Sequence, residues 1–573
     1  MLFDIEVNNQ IIHARKGETI LTALRRNGIK IPTLCNMENF TPTGACRMCV
    51  VEVEGENKLI PSCSCPVEEW MKIKTHSPRV LSARKTIVEL LLSNHPDDCL
   101  YCERNGNCEL QHLAEDLNIR ERRIPGKKSN YKIDKSSSSL MRDPAKCILC
   151  GRCVRVCEEI QSLSTLDFTG RGSDMVIATA FNKPLNFSSC INCGQCVIVC
   201  PTGALTEKLQ FGEIEHILHE PTKKLIAQYS PAITGSLAEE FGIKSSHDIH
   251  GIINATLRKI GFYKVFETSF GIDLNIMEMA EDFIKRFEKG EKLPLITGCC
   301  PAWIKFAEQQ IPEILPYITT VKSPQQIIGS LIKSYVAKNE NMSPSELYSI
   351  SIMPCTAKKY EGQRVEMTHK GLPDVETVLT TREFARLIRL HGIDINQIEP
   401  EPADEPFTGK SSVGRLAGVS GGVLESLLRT VYKRMTAKEL EADKLSKLRS
   451  NKPVREAKLR IDNREINVVA VSGMSAALNI LNEVLAGKKE YHIIEIMACP
   501  DGCVSGGGQM IRPENNNLKA IIKGIYDYDS RENINVAHKN PGVGKIYNEF
   551  LIEPMSNKSK ELLHTTFPSP EVK

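Results

Sequence analysis

Four cysteines in the C-terminal half, Cys300, Cys355, Cys499 and Cys503, lie in the separated segments TGCCPAW, IMPCTAKK and EIMACPDGCVSGGGQ. Thiolates gathered from segments this far apart suit one cubane iron-sulfur cluster, held deep in a fold rather than on a surface loop. A cluster held that way suits bond-making chemistry as well as electron transfer.

Shorter arrays of the same ligand type precede them. Cys35, Cys46, Cys49 and Cys63 follow the pattern C-x10-C-x2-C-x13-C, which suits a 2Fe-2S cluster, although zinc on four cysteines uses similar pairs. His95-x3-Cys99-x2-Cys102-x5-Cys108 could hold zinc or a 4Fe-4S cluster, and its position between two redox modules selects the cluster. Next come Cys147-x2-Cys150-x2-Cys153-x3-Cys157 and Cys190-x2-Cys193-x2-Cys196-x3-Cys200-Pro201. In a two-cluster bacterial ferredoxin the fourth cysteine of each run crosses to the other cluster. The expected sets are therefore Cys147, Cys150, Cys153 and Cys200 for one cubane, with Cys157, Cys190, Cys193 and Cys196 for the other. Of 21 cysteines in 573 residues, only Cys65 and Cys299 are left over.

So dilute a cysteine content excludes a disulfide scaffold, and the opening MLFDIEVNNQ has no secretory pattern, so the expected compartment is a reducing cytoplasm. A formal net charge of +3 provides no bulk attraction to nucleic acid or membrane. The stretch Ile466 to Asn482 is apolar but broken by Asn and Ser, and reads as a strand entering a helix rather than a membrane span. The basic run 120 to 132 reads as a solvated linker in preference to a docking patch.

The elements that must position these ligands follow from periodicity. LFDIEV and IIHARK alternate as a hairpin, followed by a helix from Glu18 to Asn27 closed by Gly28. A helix from Arg79 to Asn94 leads to His95. Beyond Phe211, apolar strand runs alternate with amphipathic helices at Asp273 to Glu288 and Ala302 to Gln310, and the cysteines follow strand ends. The expected fold is α+β and multidomain. It comprises an N-terminal β-grasp 2Fe-2S domain (1–78), a 4Fe-4S domain with one histidine and three cysteine ligands (79–118), a linker (119–137), a two-cluster bacterial-ferredoxin domain (138–209) and a large two-lobed α/β catalytic domain (210–573).

The first two modules resemble those of the large redox subunit of respiratory complex I. TGCCPAW, MPCTAKK and EIMACPDGCVSGGGQ resemble the three signature segments of iron-only (FeFe) hydrogenases, and the whole chain is similar to their long clostridial type. The resemblance implies an H-cluster: a cubane on Cys300, Cys355, Cys499 and Cys503, with Cys503 bridging to a two-iron subsite bearing carbon monoxide, cyanide and azadithiolate. With it come three accessory 4Fe-4S clusters and one 2Fe-2S cluster. It also implies ferredoxin or a similar carrier as electron partner, hydrogen and protons as reactants, and maturation enzymes.

A cyanide-bearing site needs buried donors, which Lys358 and Ser230 can supply, and the glycines of GVSGG and SGGGQ allow backbone to approach a bulky cofactor. The resemblance places Met353 and Met497 against the two-iron subsite and makes Cys299 its proton relay. At the family's outward proton route this chain has Met279, Asp282, Thr319 and Arg286. Met279 breaks the pattern because a thioether carries no proton, and the adjacent Glu278 points about 100° away around the helix. Gly298, Pro500, Asp501 and Ser230 are further departures. TGKSS is a weak phosphate loop, since Asp404 stands where its first glycine belongs.

The reading is a hydrogenase, 2H+ + 2e− ⇌ H2. Its alternatives are the hydrogen-handling subunit of an electron-bifurcating complex and a hydrogen sensor; a non-catalytic electron-transfer protein is disfavoured by the three C-terminal motifs.

Overall fold

The computed structural model describes residues 2–121, 123–129, 131–244, 247–409, 411–461, 464–511 and 517–568. Lys410 of TGKSS, together with Arg122 and Asn130 of the basic run, lies outside the described residues.

At the front, Leu2–Val7 and Gln10–Arg15 form the expected antiparallel hairpin; Lys72–Lys74 pairs parallel to the first strand, and Val50–Val53 and Ile60–Pro61 complete a five-stranded sheet. The helix Ile20–Arg26 is shorter than expected at its start, because the Thr19 hydroxyl caps it, and Gly28 follows in the left-handed region. Its apolar face buries Ile20 and Leu24 against Ile5, Val7, Cys49 and Cys63.

The second helix, Pro78–Asn94, begins with Ser77 as cap and a proline in its first turn, and stops at His95 before Pro96. The basic run does more than link. Lys128 donates from Nζ to the Leu92 and His95 carbonyls at 2.7 and 2.5 Å, satisfying acceptors at the helix C-terminus, and Arg123 pairs with Glu89.

The ferredoxin module is built on two short helices, Arg152–Arg155 and Gln195–Val199, each preceded by a left-handed glycine, Gly151 or Gly194. Strands Leu140–Arg142 and Leu205–Glu207 pair antiparallel and close the module. Arg155 donates to the carbonyls of Thr41 and Cys35 in the first module, and Arg152 forks onto Glu109 in the second at 2.6 and 2.9 Å.

The catalytic region has two four-stranded sheets. One is parallel, in the order Lys264–Glu267, Lys224–Tyr229, Leu347–Met353, Thr377–Thr380. The other runs Leu295–Ile296, Ile493–Met497, Arg464–Ser472, Val454–Ile461, with an antiparallel hairpin at its last edge. Arg464–Ser472 does enter a helix, Met474–Leu485. The longest helix, Ser269–Lys289, starts a turn before the expected Asp273: Gly271 lies inside it, against the Pro324 carbonyl, where a Cβ would stand only 2.7 Å away. Tertiary packing thus extends the helix through a glycine that local propensity disfavours. Among the described residues no helix is long and apolar enough to cross a membrane.

Candidate active site and electron relay

Three ligand-bearing segments leave the ends of parallel strands. Cys355 follows Leu347–Met353, Cys499 follows Ile493–Met497, and Cys300 follows Leu295–Ile296 and caps the helix Pro301–Gln310. Carboxyl ends of strands in open α/β sheets are where sites form, because loops there diverge and leave a crevice. Cys503 turns back beside Cys499 through Gly502 at φ 99, and a Cβ on Gly502 would come within 2.6 Å of Ser420 N. The four thiols interact electrostatically with one another, and burial raises those of Cys355, Cys499 and Cys503. Exclusion from water therefore leaves these sulfurs poorly accommodated as bare anions, and iron would relieve that.

The glycines expected to make room for a cofactor also bring loops against each other. A Cβ on Gly506 would stand 2.2 Å from the Pro354 carbonyl, and one on Gly507 would stand 2.1 Å from the Cys193 carbonyl. Cys193 belongs to the ferredoxin module, so the two redox sites are packed backbone to backbone. Thr356 donates to the Asn192 carbonyl at 2.7 Å, Gln195 to Ser505 O at 3.0 Å, and Gln161 to Ala498 O at 2.9 Å.

Two cavities lie inside the ferredoxin module. Cys147, Cys150, Cys153 and Cys200 line one; Cys157, Cys190, Cys193 and Cys196 line the other. In the first module the Cys46 thiol lowers the pKa of Cys35 by hydrogen bonding, and Cys63 does the same for Cys49, so these four are in mutual reach. Cys65 faces Pro66 O at 3.6 Å, and burial raises its thiol. His95 Nδ1 is 3.0 Å from the Pro96 carbonyl, and its buried Nε2 has no partner among the described residues. That pairing fixes the tautomer with a free lone pair on Nε2, as a metal ligand requires. Among the described residues no three His, Cys, Asp or Glu side chains close on a point as around a single metal ion. A cluster asks for wider spacing, since its thiolates are spread over several irons.

Comparison with known proteins supplies the family. Residues 223–507 match the C-terminal domain of the iron only hydrogenase large subunit, and 515–569 the iron hydrogenase small subunit. Residues 2–78 match a 2Fe-2S iron-sulfur cluster binding domain, 84–123 the NADH-ubiquinone oxidoreductase-G iron-sulfur binding region, and 139–206 the ferredoxin-like domain of NADH-quinone oxidoreductase subunit 3. The NADP-reducing hydrogenase subunit HndD of Solidesulfovibrio fructosivorans is 40% identical, covering 99% of each chain. Iron hydrogenase 1 of Clostridium pasteurianum is 34% identical over 98% of this chain and 99% of its own. The chain is an iron-only hydrogenase. A variant of apo HydA1 from Chlamydomonas reinhardtii superposes with a TM-score of 0.56 at 28% identity, covering 63% of this chain and 99% of that one. The hydrogenase is an oxidoreductase whose cofactors are iron-sulfur clusters and an H-cluster.

Beside Cys299 and Cys355 the hydrogenase places Lys358 with Nζ 2.8 Å from Glu361 Oε2 and 3.3 Å from the Cys299 carbonyl. Burial opposes the ammonium charge, but Glu361 and the thiols of Cys355 and Cys299 outweigh it and raise the lysine pKa. Glu361, itself held by Ser323 and Gln325, escaped the sequence reading, although Lys-x-x-Glu spacing on a helix signals such a pair. Met353 and Met497 are both buried at strand ends. Ser230 Oγ accepts from Ala232 N at 3.3 Å, leaving its proton to donate elsewhere.

The residues expected to carry protons divide into two groups. Arg286 forks onto Asp282 with both distances 2.9 Å, and Thr319 Oγ1 donates to Asp282 Oδ2 at 3.0 Å. Cys299 lies apart, donating from Sγ to Asn275 Oδ1 at 3.3 Å; burial pushes its thiol up to about 12, against the pull of Lys358. Met279, fully buried in the main core, separates the groups along the Ser269–Lys289 helix. Glu278 is no substitute. Tyr547, Ser559, the Met555 amide and His564 surround its carboxylate, so it anchors the C-terminal segment. Asp404 accepts from Val265 N and Arg258, a structural role unrelated to phosphate.

Proposed function

We propose that this hydrogenase catalyses reversible proton reduction, 2H+ + 2e− ⇌ H2, at an H-cluster on Cys300, Cys355, Cys499 and Cys503, with Cys503 bridging to the two-iron subsite. Carbon monoxide, cyanide and azadithiolate would complete that subsite, which would supply the hydrogen chemistry. Electrons reach it through a 2Fe-2S cluster on Cys35, Cys46, Cys49 and Cys63, and a 4Fe-4S cluster on His95, Cys99, Cys102 and Cys108. Cubanes on Cys147, Cys150, Cys153 and Cys200 and on Cys157, Cys190, Cys193 and Cys196 complete the relay. The carrying observation is the joint where Gly507 meets Cys193 and Gly194, because electron tunnelling needs neighbouring clusters with little intervening matter. Cys299 holds the proton nearest the metal; Lys358, Ser230, Met353 and Met497 enclose the subsite; Thr319, Asp282 and Arg286 pass protons outward.

The proposed donor is a ferredoxin or similar carrier. A second reading, service as the hydrogen-handling subunit of a nucleotide-linked complex, is favoured by similarity to HndD along the full chain and by the exposure of Leu100 and Tyr101, 85% and 88%, beside the exposed Cys99.

Infrared spectroscopy of the matured protein tests the chemistry. Carbon monoxide and cyanide bands should be present, and Cys503→Ala should lose them while keeping its accessory clusters. Normal bands and hydrogen evolution in that variant would overturn the bridging role. Hydrogen-driven reduction of ferredoxin by the isolated chain would separate the first partner reading from the second.

A further inference from the structure

The junction between the histidine-containing module and the ferredoxin contains a buried charge with open donors. Arg104 is only 5% exposed, and among the described residues neither its Nε nor its Nη1 has a hydrogen-bond partner. Neighbouring cations are engaged: Arg152 forks onto Glu109, Lys146 pairs with Asp98, and Arg386 pairs with Glu103. A guanidinium is always charged in proteins and presents five donors, so burying it with open N–H groups is costly unless an anion completes the arrangement.

The surroundings identify that anion. Beyond burial, Arg104 feels the pull of Cys200 of the ferredoxin, the opposing charge of Arg382 and the pull of Cys108 of its own module, while Glu109 is already committed to Arg152. The two ligand loops touch here. A Cβ on Gly203 would stand 2.6 Å from Cys102 Sγ and 3.7 Å from Arg104 Cγ, and Glu109 N donates to Pro201 O at 2.9 Å. Arg104 thus occupies the contact between the thiols of two expected clusters, and cysteine-ligated clusters carry net negative charge that increases on reduction.

We propose that Arg104 is a shared counter-cation for two clusters, the one on His95, Cys99, Cys102 and Cys108 and the one on Cys147, Cys150, Cys153 and Cys200. Its charge holds both reduction potentials up. A fixed positive charge favours the reduced state of any centre beside it, and one charge between two centres raises both, keeping the electron step between them nearly level. The 2Fe-2S module receives a different arginine, Arg155, which binds the Cys35 carbonyl rather than a thiol.

The inference rests on the cluster reading above, and the test keeps the two separate. Iron and acid-labile sulfide in the full-length wild-type protein, with its electron paramagnetic resonance spectrum, report on the clusters themselves. Arg104 is then judged only by difference between variants of equal iron content, through potentiometric titration of each resonance signal. Arg104→Gln, which retains a donor but loses the charge, should lower the potentials of both 4Fe-4S signals and leave the 2Fe-2S signal in place. Arg104→Lys should restore most of that shift. Unchanged potentials in a fully loaded Arg104→Gln protein would overturn the proposal, as would an Arg104→Lys shift as large as that of Arg104→Gln, since charge would then not be the operative property. If the His95 site held zinc, iron analysis would show it, and the shift in the Cys147 to Cys200 cluster would still decide the role of Arg104.

Discussion

Cys299 donates its thiol proton to Asn275, not to Asp282, Thr319 or Arg286. Asn275, Met279, Asp282 and Arg286 follow one another at helical spacing, so they line a single face of the Ser269–Lys289 helix. The polar path along that face is interrupted at one position, occupied by a thioether.

Replacing that thioether should reveal the interruption. Met279→Glu is expected to raise turnover per intact H-cluster, because it restores an ionisable group between Cys299 and Asp282. The gain will be small if bound water already spans the gap. Cys299→Ala is expected to retain its infrared bands yet lose about 100-fold or more in rate, the usual scale for removing a positioned proton donor. An active Cys299→Ala enzyme would refute the relay; a Met279→Glu enzyme no faster at any pH would place the exit elsewhere.

Gly203→Ala should act at a distance from the catalytic site. Its Cβ would stand 2.6 Å from Cys102 Sγ, so that sulfur must leave its position. Iron content is expected to fall by one 4Fe-4S cluster while the 2Fe-2S resonance and the H-cluster bands persist. Full iron loading with unaltered spectra would show that the junction yields more readily than its packing implies.

Glu495 should make stability depend on pH. Burial raises its carboxyl from 4.5 to about 7, although the Gly421 and Leu424 amides donate to it at 2.6 Å each. Between those values the folded chain holds a proton that the unfolded chain has released. The contribution to stability is therefore full below pH 4.5, falls as pH rises through the window, and is lost above 7, a change of roughly 3 kcal/mol. Glu495→Gln cannot titrate, so the difference between its melting temperature and that of the wild type, measured anaerobically across this window, should change with pH; parallel curves would exclude the titration.

A chain beginning at Ile133 retains the Asp134 carboxylate, which accepts from Leu185 N at 2.9 Å, and the whole catalytic region. Hydrogen evolution from a small artificial reductant should remain near the full-length rate, with coupling to protein donors lost. Absence of activity despite normal infrared bands would make the front modules essential to catalysis.

The cysteine runs and the strand-end positions of Cys300, Cys355 and Cys499 were legible in the sequence, since cysteine spacing and apolar runs are local patterns. So was the Asp282 and Arg286 pair, one helical turn apart. The Glu278 cage was not: its partners Tyr547 and His564 lie 269 and 286 residues downstream, and no local pattern encodes a contact at that separation. Gln161, bonded to Ala498 O across 337 positions, was hidden for the same reason. Arg104 resembled one more surface arginine in a charged loop, and only the packing of two modules around it reveals a buried one.

The two sides of the ferredoxin module differ in how closely main chain packs at the joint. Toward the front, Arg155 reaches Thr41 and Cys35, Arg152 reaches Glu109, and Glu109 N donates to Pro201 O. Toward the catalytic region, side-chain bonds from Thr356, Gln195 and Gln161 accompany a contact of main chain on main chain at Gly194 and Gly507 with no room for a β-carbon. Side-chain bridges can be rebuilt by a few substitutions, whereas a glycine-to-glycine contact tolerates almost none. In an evolutionary lineage the front modules could therefore be lost, exchanged or added as donors change, while the ferredoxin and the catalytic region would be inherited as one piece.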